Sequence, residues 1–269
     1  MSVTDTGAAA PVTADSPQVP RRASRWWVGA LLPVALFAAW WASTAAGVFG
    51  RSQLPPPVDV WTAATQLWGT GQLQVNVAIS VQRVLTGFLV GTAAGLVLGG
   101  LTGSSRFVHD LIAPTLAALR AVPSLAWVPL LGLWIGLGEP PKITLVAIGA
   151  FFPVYTTVLS SLTHLDPGLV EVGRAYGRRG VGLFTSILLP ATAPSLLSGL
   201  RLALAQSWLF LVAAELISSS IGLGFQMTNG QNTSRTDQML LAIVLLALLG
   251  KASDMVLGVV ENRVKAARE

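Results

Sequence analysis

A 269-residue chain that is 52% hydrophobic and only 11% charged, with mean hydropathy +0.65, is not an ordinary soluble domain, where charged residues make up about a quarter. The formal net charge of +5 comes from Lys and Arg in short clusters between apolar blocks. That is the pattern of membrane-protein loops and excludes a nucleic-acid partner; with no cysteine, disulfides and thiolate metal sites are excluded too.

Residues 1–20 carry Ala, Pro, Thr and Ser without apolar period and are predicted to be a disordered tail. Arg21, Arg22 and Arg25 precede an apolar run that predicts a first span over 26–48. Its length, and the spans that follow, favour a retained helix over a cleaved twin-arginine signal. Leu54-Pro55-Pro56-Pro57 is an extended breaker, after which Asp59 is expected to cap a short helix ending at Gly69-Thr70-Gly71. The second span, 80–103, carries Gly87, Gly91, Gly95, Gly99 and Gly103 at four-residue intervals. Such a ridge lets another helix approach closely and points to helix packing rather than a pore lining.

Arg106, His109 and Asp110 are predicted to form a polar loop, with no second metal-spaced ligand for His109. A third span, 120–138, starts at Arg120 and is interrupted by Pro123 and Pro129. Gly138-Glu139-Pro140-Pro141-Lys142 reads as a turn, and 143–162 as a fourth span bent at Pro153. The segment 164–190 is the one polar, charge-bearing stretch of the interior of the chain. It holds EVGRAYGRRGVGLFTSILLP (171–190), with a short helix expected from about Asp166 to Gly177. Hydrocarbon cannot hold it, so it faces water or a partner. A fifth span, 195–217, contains Arg201 and Glu215, which must face protein or water. A Ser/Gly/Asn/Thr-rich linker, 218–237, turns at Gly222-Leu223-Gly224. A sixth span, 238–260, pairs Lys251 with Asp254, and 261–269 is a charged tail.

Six spans put both ends on one face. The Lys and Arg of that face are Arg21, Arg22, Arg25, Arg106, Arg120, Arg174, Arg178, Arg179, Arg263, Lys265 and Arg268. The other face has Arg51, Arg83, Lys142 and Arg235, so eleven cations against four put both termini and the 164–190 loop in the cytoplasm. No phosphate-binding G-x-x-x-x-G-K-[ST] is present; Gly250-Lys251-Ala252-Ser253 mimics only its end. There is no zinc-ligand pattern, no Gly-x-Ser-x-Gly elbow and no convincing internal repeat. Intramembrane acids are too few for an ion-driven relay. Power for transport would therefore arrive from another chain, through the 164–190 loop.

Glu171, Gly177, Ile187, Leu189 and Pro190 keep the spacing E-A-A-x3-G-x9-I-x-L-P, with Val172 and Gly173 in place of the two alanines. The chain thereby resembles binding-protein-dependent ABC importer permeases. The resemblance runs from about Leu54 to Val260 and is to the sulfonate/taurine/nitrate group. It is carried by LPPP (54–57), SVQRVLTGF (80–88), LRAVPSLAWVPLLGLWIGLGEPPK (119–142, with Ile135 where Phe is common), FFPVY (151–155), LLPATAPSLLSGLRLALAQSW (188–208), and AAELI followed by GLG (213–224).

The resemblance implies an all-α membrane protein of the six-helix, MetI-like type I importer permease fold, in the bacterial inner membrane. It implies a second permease copy, two ATPase subunits that hold the ATP and Mg, and an extracytoplasmic solute-binding protein; the chain itself would hold no cofactor or metal and would not be an enzyme. Ala175, Tyr176 and Gly177 would meet the ATPase, with Glu171, Arg174 and Arg178 positioning the contact. Arg120, Pro123, Trp127, Trp134 and Glu215 are candidates for the translocation route or its gate. The carried solute would be an aliphatic sulfonate, taurine, nitrate or a pyrimidine vitamin precursor. The competing classes are a secondary carrier and a multi-pass membrane enzyme or assembly factor.

Overall fold

The computed structural model describes residues 26–266 and is helical throughout, without a strand among the described residues. The predicted tail 1–20, Arg21, Arg22 and Arg25, and the last three residues of the chain lie outside the described residues. The helices are α1 (Trp26–Ala45), α2 (Pro57–Gly69), α3 (Gln72–Ser104), α4 (Arg106–Ala121), α5 (Trp127–Ile135), α6 (Glu139–Thr163), α7 (Pro167–Ala175), the single turn α8 (Gly180–Leu183), α9 (Leu189–Ser218), α10 (Leu223–Asn232) and α11 (Thr236–Ala266). A π-helical turn, Phe184–Leu188, joins α8 to α9.

Four stretches are continuous helices long and apolar enough to cross a bilayer: Gln72–Ser104, Glu139–Thr163, Phe184–Ser218 and Thr236–Val264. α1 adds a largely apolar helix of 20 residues, about 30 Å long. The third predicted span, 120–138, is not one helix. α4 stops at Ala121, Val122 turns extended (φ −68°, ψ 125°), and α5 begins only at Trp127. Pro123 is the cause, since the residue before a proline is pushed out of the helical region.

Other local expectations also change. Arg106, His109 and Asp110 are not a loop; they open α4, which Ser105 caps by accepting from the Val108 amide at 3.4 Å. Asp59 caps nothing. Pro56 holds the N-cap position of α2, and Asp59 lies in the first turn 3.9 Å from Arg51. Residues 139–142 are the start of α6 rather than a turn, because prolines at the first helical positions lose no intrahelical hydrogen bond. The 218–237 linker contains a ten-residue helix, α10.

α3, α6 and α9 form the core. On α3 a β-carbon at Gly87 would meet Val146 Cβ at 2.6 Å. At Gly95 it would meet the Phe151 carbonyl oxygen at 2.9 Å, at Gly99 Val158 Cβ at 2.8 Å, and at Gly103 Leu162 Cδ1 at 2.7 Å; at Gly91 it would overlap the Ala147 carbonyl. The five-glycine ridge is therefore the surface on which α6 lies. Ala150, Val154, Val158, Leu196 and Ala203 fill one part of this core, and Val84, Val146, Leu204 and Leu211 another. α1, α2 and α11 pack separately around Val60, Ala63, Leu67, Leu73 and Leu241, where Trp40 donates to the Pro55 carbonyl at 3.0 Å.

α11 is tied to α9 by charge. Arg201 donates to both oxygens of Asp254 (2.8 and 3.0 Å) and to Glu261 (3.0 Å), and Lys251 reaches Asp254 at 3.5 Å. The pair predicted within α11 is thus one edge of a cluster centred on Arg201.

Candidate functional site

Three places among the described residues stand out: the exposed, charged α7 turn, a mid-depth cavity with one charged wall residue, and a buried ionic cluster at the opposite end from α7.

α7 begins where Asp166 accepts from the Gly168 amide at 2.9 Å and Pro167 takes the first helical position. It ends where Gly177, at φ +75°, donates to the Arg174 carbonyl at 2.9 Å and Arg178 donates to the Gly173 carbonyl at 3.0 Å. This paired closure satisfies the last carbonyls and requires a left-handed residue, which is why Gly stands there. Gly173 is the buried one among the described residues of the helix. A β-carbon on it would run into Leu183 and Ile187, so this face rests on the segment that leads into α9. Glu171, Val172, Arg174, Ala175, Tyr176, Gly177, Arg178 and Arg179 are exposed, Tyr176 to 83%. The two departures from the alanine pair therefore face opposite ways: Gly173 inward on its own chain, Val172 outward. The 164–190 segment is less of a loop than its composition suggests, since from Gly180 it is helical and continuous with α9.

The mid-depth cavity, about 460 Å³, lies between the α4–α5 break and the middle turns of α6 and α9. Arg120, Pro123 and Trp127 line it, facing Phe152, Gln206 and Phe210. Arg120 is its one charged lining residue. The residues opposite are the centres of long spans, so Arg120 sits at mid-depth rather than at the inner surface. Without it the count of cations on the two faces is ten against four.

Trp134 and Glu215 are not in this cavity. Trp134 is 65% exposed on α5. Glu215 is fully buried in the ionic cluster, where its oxygens accept from Ser80 (2.8 and 3.0 Å), Arg83 (2.6 Å) and the Gly224 amide (2.8 Å). Arg83, also buried, grips Glu139 with two 2.6 Å bonds and donates to the Ile221 carbonyl at 2.8 Å; Lys142 reaches Glu139 at 3.1 Å. One guanidinium thus joins α3, α6, α9 and the loop before α10, in the paired and hydrogen-bonded form that buried charge requires.

The same cluster caps α10 from outside. The Gly222, Leu223 and Gly224 amides are taken by Asn76 (3.0 Å), Ser80 (2.9 Å) and Glu215 (2.8 Å). Sequence reading missed Arg83, Asn76, Ser80, Glu139 and Lys142 as a unit. The signal available was an arginine within an apolar helix, which needs a named partner.

A bundle built on a glycine ridge, a broken helix beside a charged mid-depth cavity, and an exposed helical elbow packed on the start of a span define an integral-membrane permease subunit. The chain belongs to the binding-protein-dependent transport system inner membrane component family, whose model matches residues 91–266. It is 40% identical over 83% of its length to the putative aliphatic sulfonates transport permease protein SsuC of Escherichia coli (strain K12), covering 85% of that protein. With the protein of the same description from Bacillus subtilis (strain 168) it shares 36% identity over 90% of this chain and 88% of that one. It is 32% identical over 73% of its length to the nitrate import permease protein NrtB of Leptolyngbya laminosa, covering 71% of that protein. Among solved structures, an inward-facing conformation of the MetNI methionine ABC transporter superposes with TM-score 0.64, covering 72% of this chain and 96% of that one. At 19% identity it shares the fold. The protein is accordingly a multi-pass inner-membrane transport component of an ABC importer and not an enzyme.

Proposed function

We propose that the chain lines the translocation route of an ATP-driven importer for a small oxyanion, an aliphatic sulfonate first, with taurine and nitrate in the same chemical class. The observation that carries the reading is the α7 elbow: an exposed helix whose inner face rests on residues contiguous with α9. A partner pushing on Ala175, Tyr176 and Gly177 would move α9 as a rigid lever. Glu171, Arg174 and Arg178 supply charge around that contact. The partner is a cytoplasmic ATPase, two per transporter, holding the ATP and Mg; this chain pairs with a second copy and receives solute from an extracytoplasmic binding protein.

The cavity with Arg120, Pro123 and Trp127 supports an anionic cargo, since its lining charge is a guanidinium with no hydrogen-bond or ion-pair partner among the described residues. The names of the sulfonate and nitrate permeases that the chain matches support the same class. Trp134 stands outside that cavity, and Glu215 serves the route by holding its outer framework.

Gly177→Glu tests the elbow. Left-handed backbone costs about 1–2 kcal/mol for a residue with a β-carbon, too little to unfold the chain, while the new carboxylate enters the dock. Membrane levels should stay near normal, and co-purification of the ATPase and solute uptake should each fall at least tenfold. Gly177→Ala meets nothing within 4 Å and should keep most uptake. Normal uptake by Gly177→Glu would refute the elbow as the coupling element.

A further inference from the structure

α5 separates two cavities along the groove between α6 and α9. On one side lies the 460 Å³ cavity with Arg120. On the other, toward the face opposite α7, lies a cavity of about 190 Å³ whose walls include Gly132, Gly138, Lys142, Ile217 and Ser218. Between them Val128, Leu131, Leu145 and Ala214 form a buried apolar layer, closed on the Arg120 side by Trp127, Ile148 and Phe210. From Leu145 to Ile148 is three residues of α6, about 4.5 Å.

Each cavity has one charged lining residue, and it is a cation in both. Lys142 is 95% buried, its exposure being 5%. Its one hydrogen bond, 3.1 Å to Glu139, goes to a carboxylate whose two oxygens Arg83 already holds at 2.6 Å each. An ammonium has three donors, so two have no partner among the described residues, on a side chain that lines a small cavity whose other walls are apolar apart from Ser218. Unpaired donors on a buried charge are costly, and an oxyanion is the ligand that repays them best. The volume lies below the roughly 300–1,000 Å³ of pockets for drug-sized ligands, and the walls of Val128, Leu145, Ala214 and Ile217 suit a short alkyl stem.

We propose that Lys142 makes the outer cavity a binding site for small monovalent oxyanions, alkyl sulfonates in particular. The Val128–Leu131–Leu145–Ala214 layer is then the closed gate between it and the Arg120 cavity. α5 is built to move as the gate: it is a nine-residue rod between the Pro123 break and two left-handed glycines, Gly136 (φ +93°) and Gly138 (φ +114°). Direction and cargo rest on the importer reading; the anion site and the gate do not.

The chain has no cysteine, and a β-carbon at Gly132 meets nothing within 4 Å. Gly132→Cys therefore puts a single thiol into the outer cavity at little steric cost. In the purified full-length permease, its reaction rates with methanethiosulfonate-ethylsulfonate (an anionic alkyl sulfonate) and with the cationic trimethylammonium analogue are compared, each relative to a free thiol. The expected preference for the anionic reagent is at least tenfold, falling to near parity when Lys142→Gln is added. No preference, an unchanged preference in the Lys142→Gln background, or no reaction with either reagent would overturn the site.

If Lys142→Gln does not accumulate, protection of the Gly132→Cys thiol decides. Ethanesulfonate should slow labelling and the neutral ethyl methyl sulfone should not; equal protection, or none, overturns the site. In sealed vesicles, reagent confined to the α7 side should leave the thiol unmodified, and modification from that side overturns the gate. A chain that binds no ATPase yet keeps the tenfold preference would sink the importer reading alone, and the converse would sink the anion site alone.

Discussion

A Glu215→Ala chain is expected to accumulate in the membrane at a small fraction of the normal level and to unfold at markedly lower temperature. The carboxylate accepts from three donors, the Ser80 hydroxyl (shared between its two oxygens), Arg83 and the Gly224 amide, and it is fully buried. Removing it leaves a buried guanidinium with Glu139 as its one carboxylate, and it strips one cap from α10. Breaking a buried pair from one side costs about 3–5 kcal/mol, against a total stability of only about 5–15 kcal/mol for a typical domain.

Glu215→Gln should be nearly as damaging despite its shape. Every neighbour is a donor, and the amide nitrogen would present two more donors to them. The double change Arg83→Met with Glu215→Leu should regain only part of the loss, because Glu139 keeps Lys142 alone and the Gly224 amide loses its acceptor. Membrane abundance and thermal melting of the three variants are the measurements. A Glu215→Ala chain as abundant and as heat-stable as the parent would show that the cluster holds nothing together.

Gly91→Ala is expected to be the second most damaging change, although it adds one methyl group. The new carbon would occupy the position of the Ala147 carbonyl and approach Ala150 Cβ at 2.8 Å, and a helix backbone cannot step aside as a flexible side chain can. Restoring clearance means moving α6 away along the whole ridge, which opens the packing at Gly87, Gly95 and Gly99 as well. Overpacking of this kind costs about 1–3 kcal/mol and occasionally more, with Gly91→Val worse than Gly91→Ala.

Gly132→Ala is the control, because its methyl group meets open space. Replacing a mid-helix glycine there should stabilise α5 by up to about 1 kcal/mol. Opposite shifts in melting temperature for the two alanines are the expected result. A neutral Gly91→Ala would mean that α3 and α6 do not touch along the ridge.

These effects divide according to how far apart the responsible residues lie in the chain. The apolar blocks, the glycine period and the Asp166-to-Gly177 helix are local patterns, and each is legible because a few adjacent residues fix it. Hydropathy alone located the four continuous spans, and the Glu171–Gly177–Ile187–Pro190 spacing alone pointed to an ABC importer permease. The break at Pro123 is marked in the sequence by a proline, which by itself predicts an interruption of the span and not its end. Whether a span survives a proline depends on what neighbouring helices offer the freed backbone groups.

What only the tertiary structure decided involves partners far apart in sequence. α10 looked like a polar linker because its caps are Asn76, Ser80 and Glu215; the first of these stands 146 residues from the amide it satisfies. Arg83 counts in the sequence only as a cation near the start of the second span; α6 and α9 bring Glu139 and Glu215 to it. Arg120 counted as a cytoplasmic cation until the middle turns of α6 and α9 were found beside it. Hydropathy and turn chemistry are properties of neighbouring residues, so the sequence by itself determined the membrane class, the glycine ridge and the short α7 helix. Pairing of buried charges and the depth of a side chain are properties of packing, so the ionic cluster and the two cationic cavities became visible only once the helices were assembled.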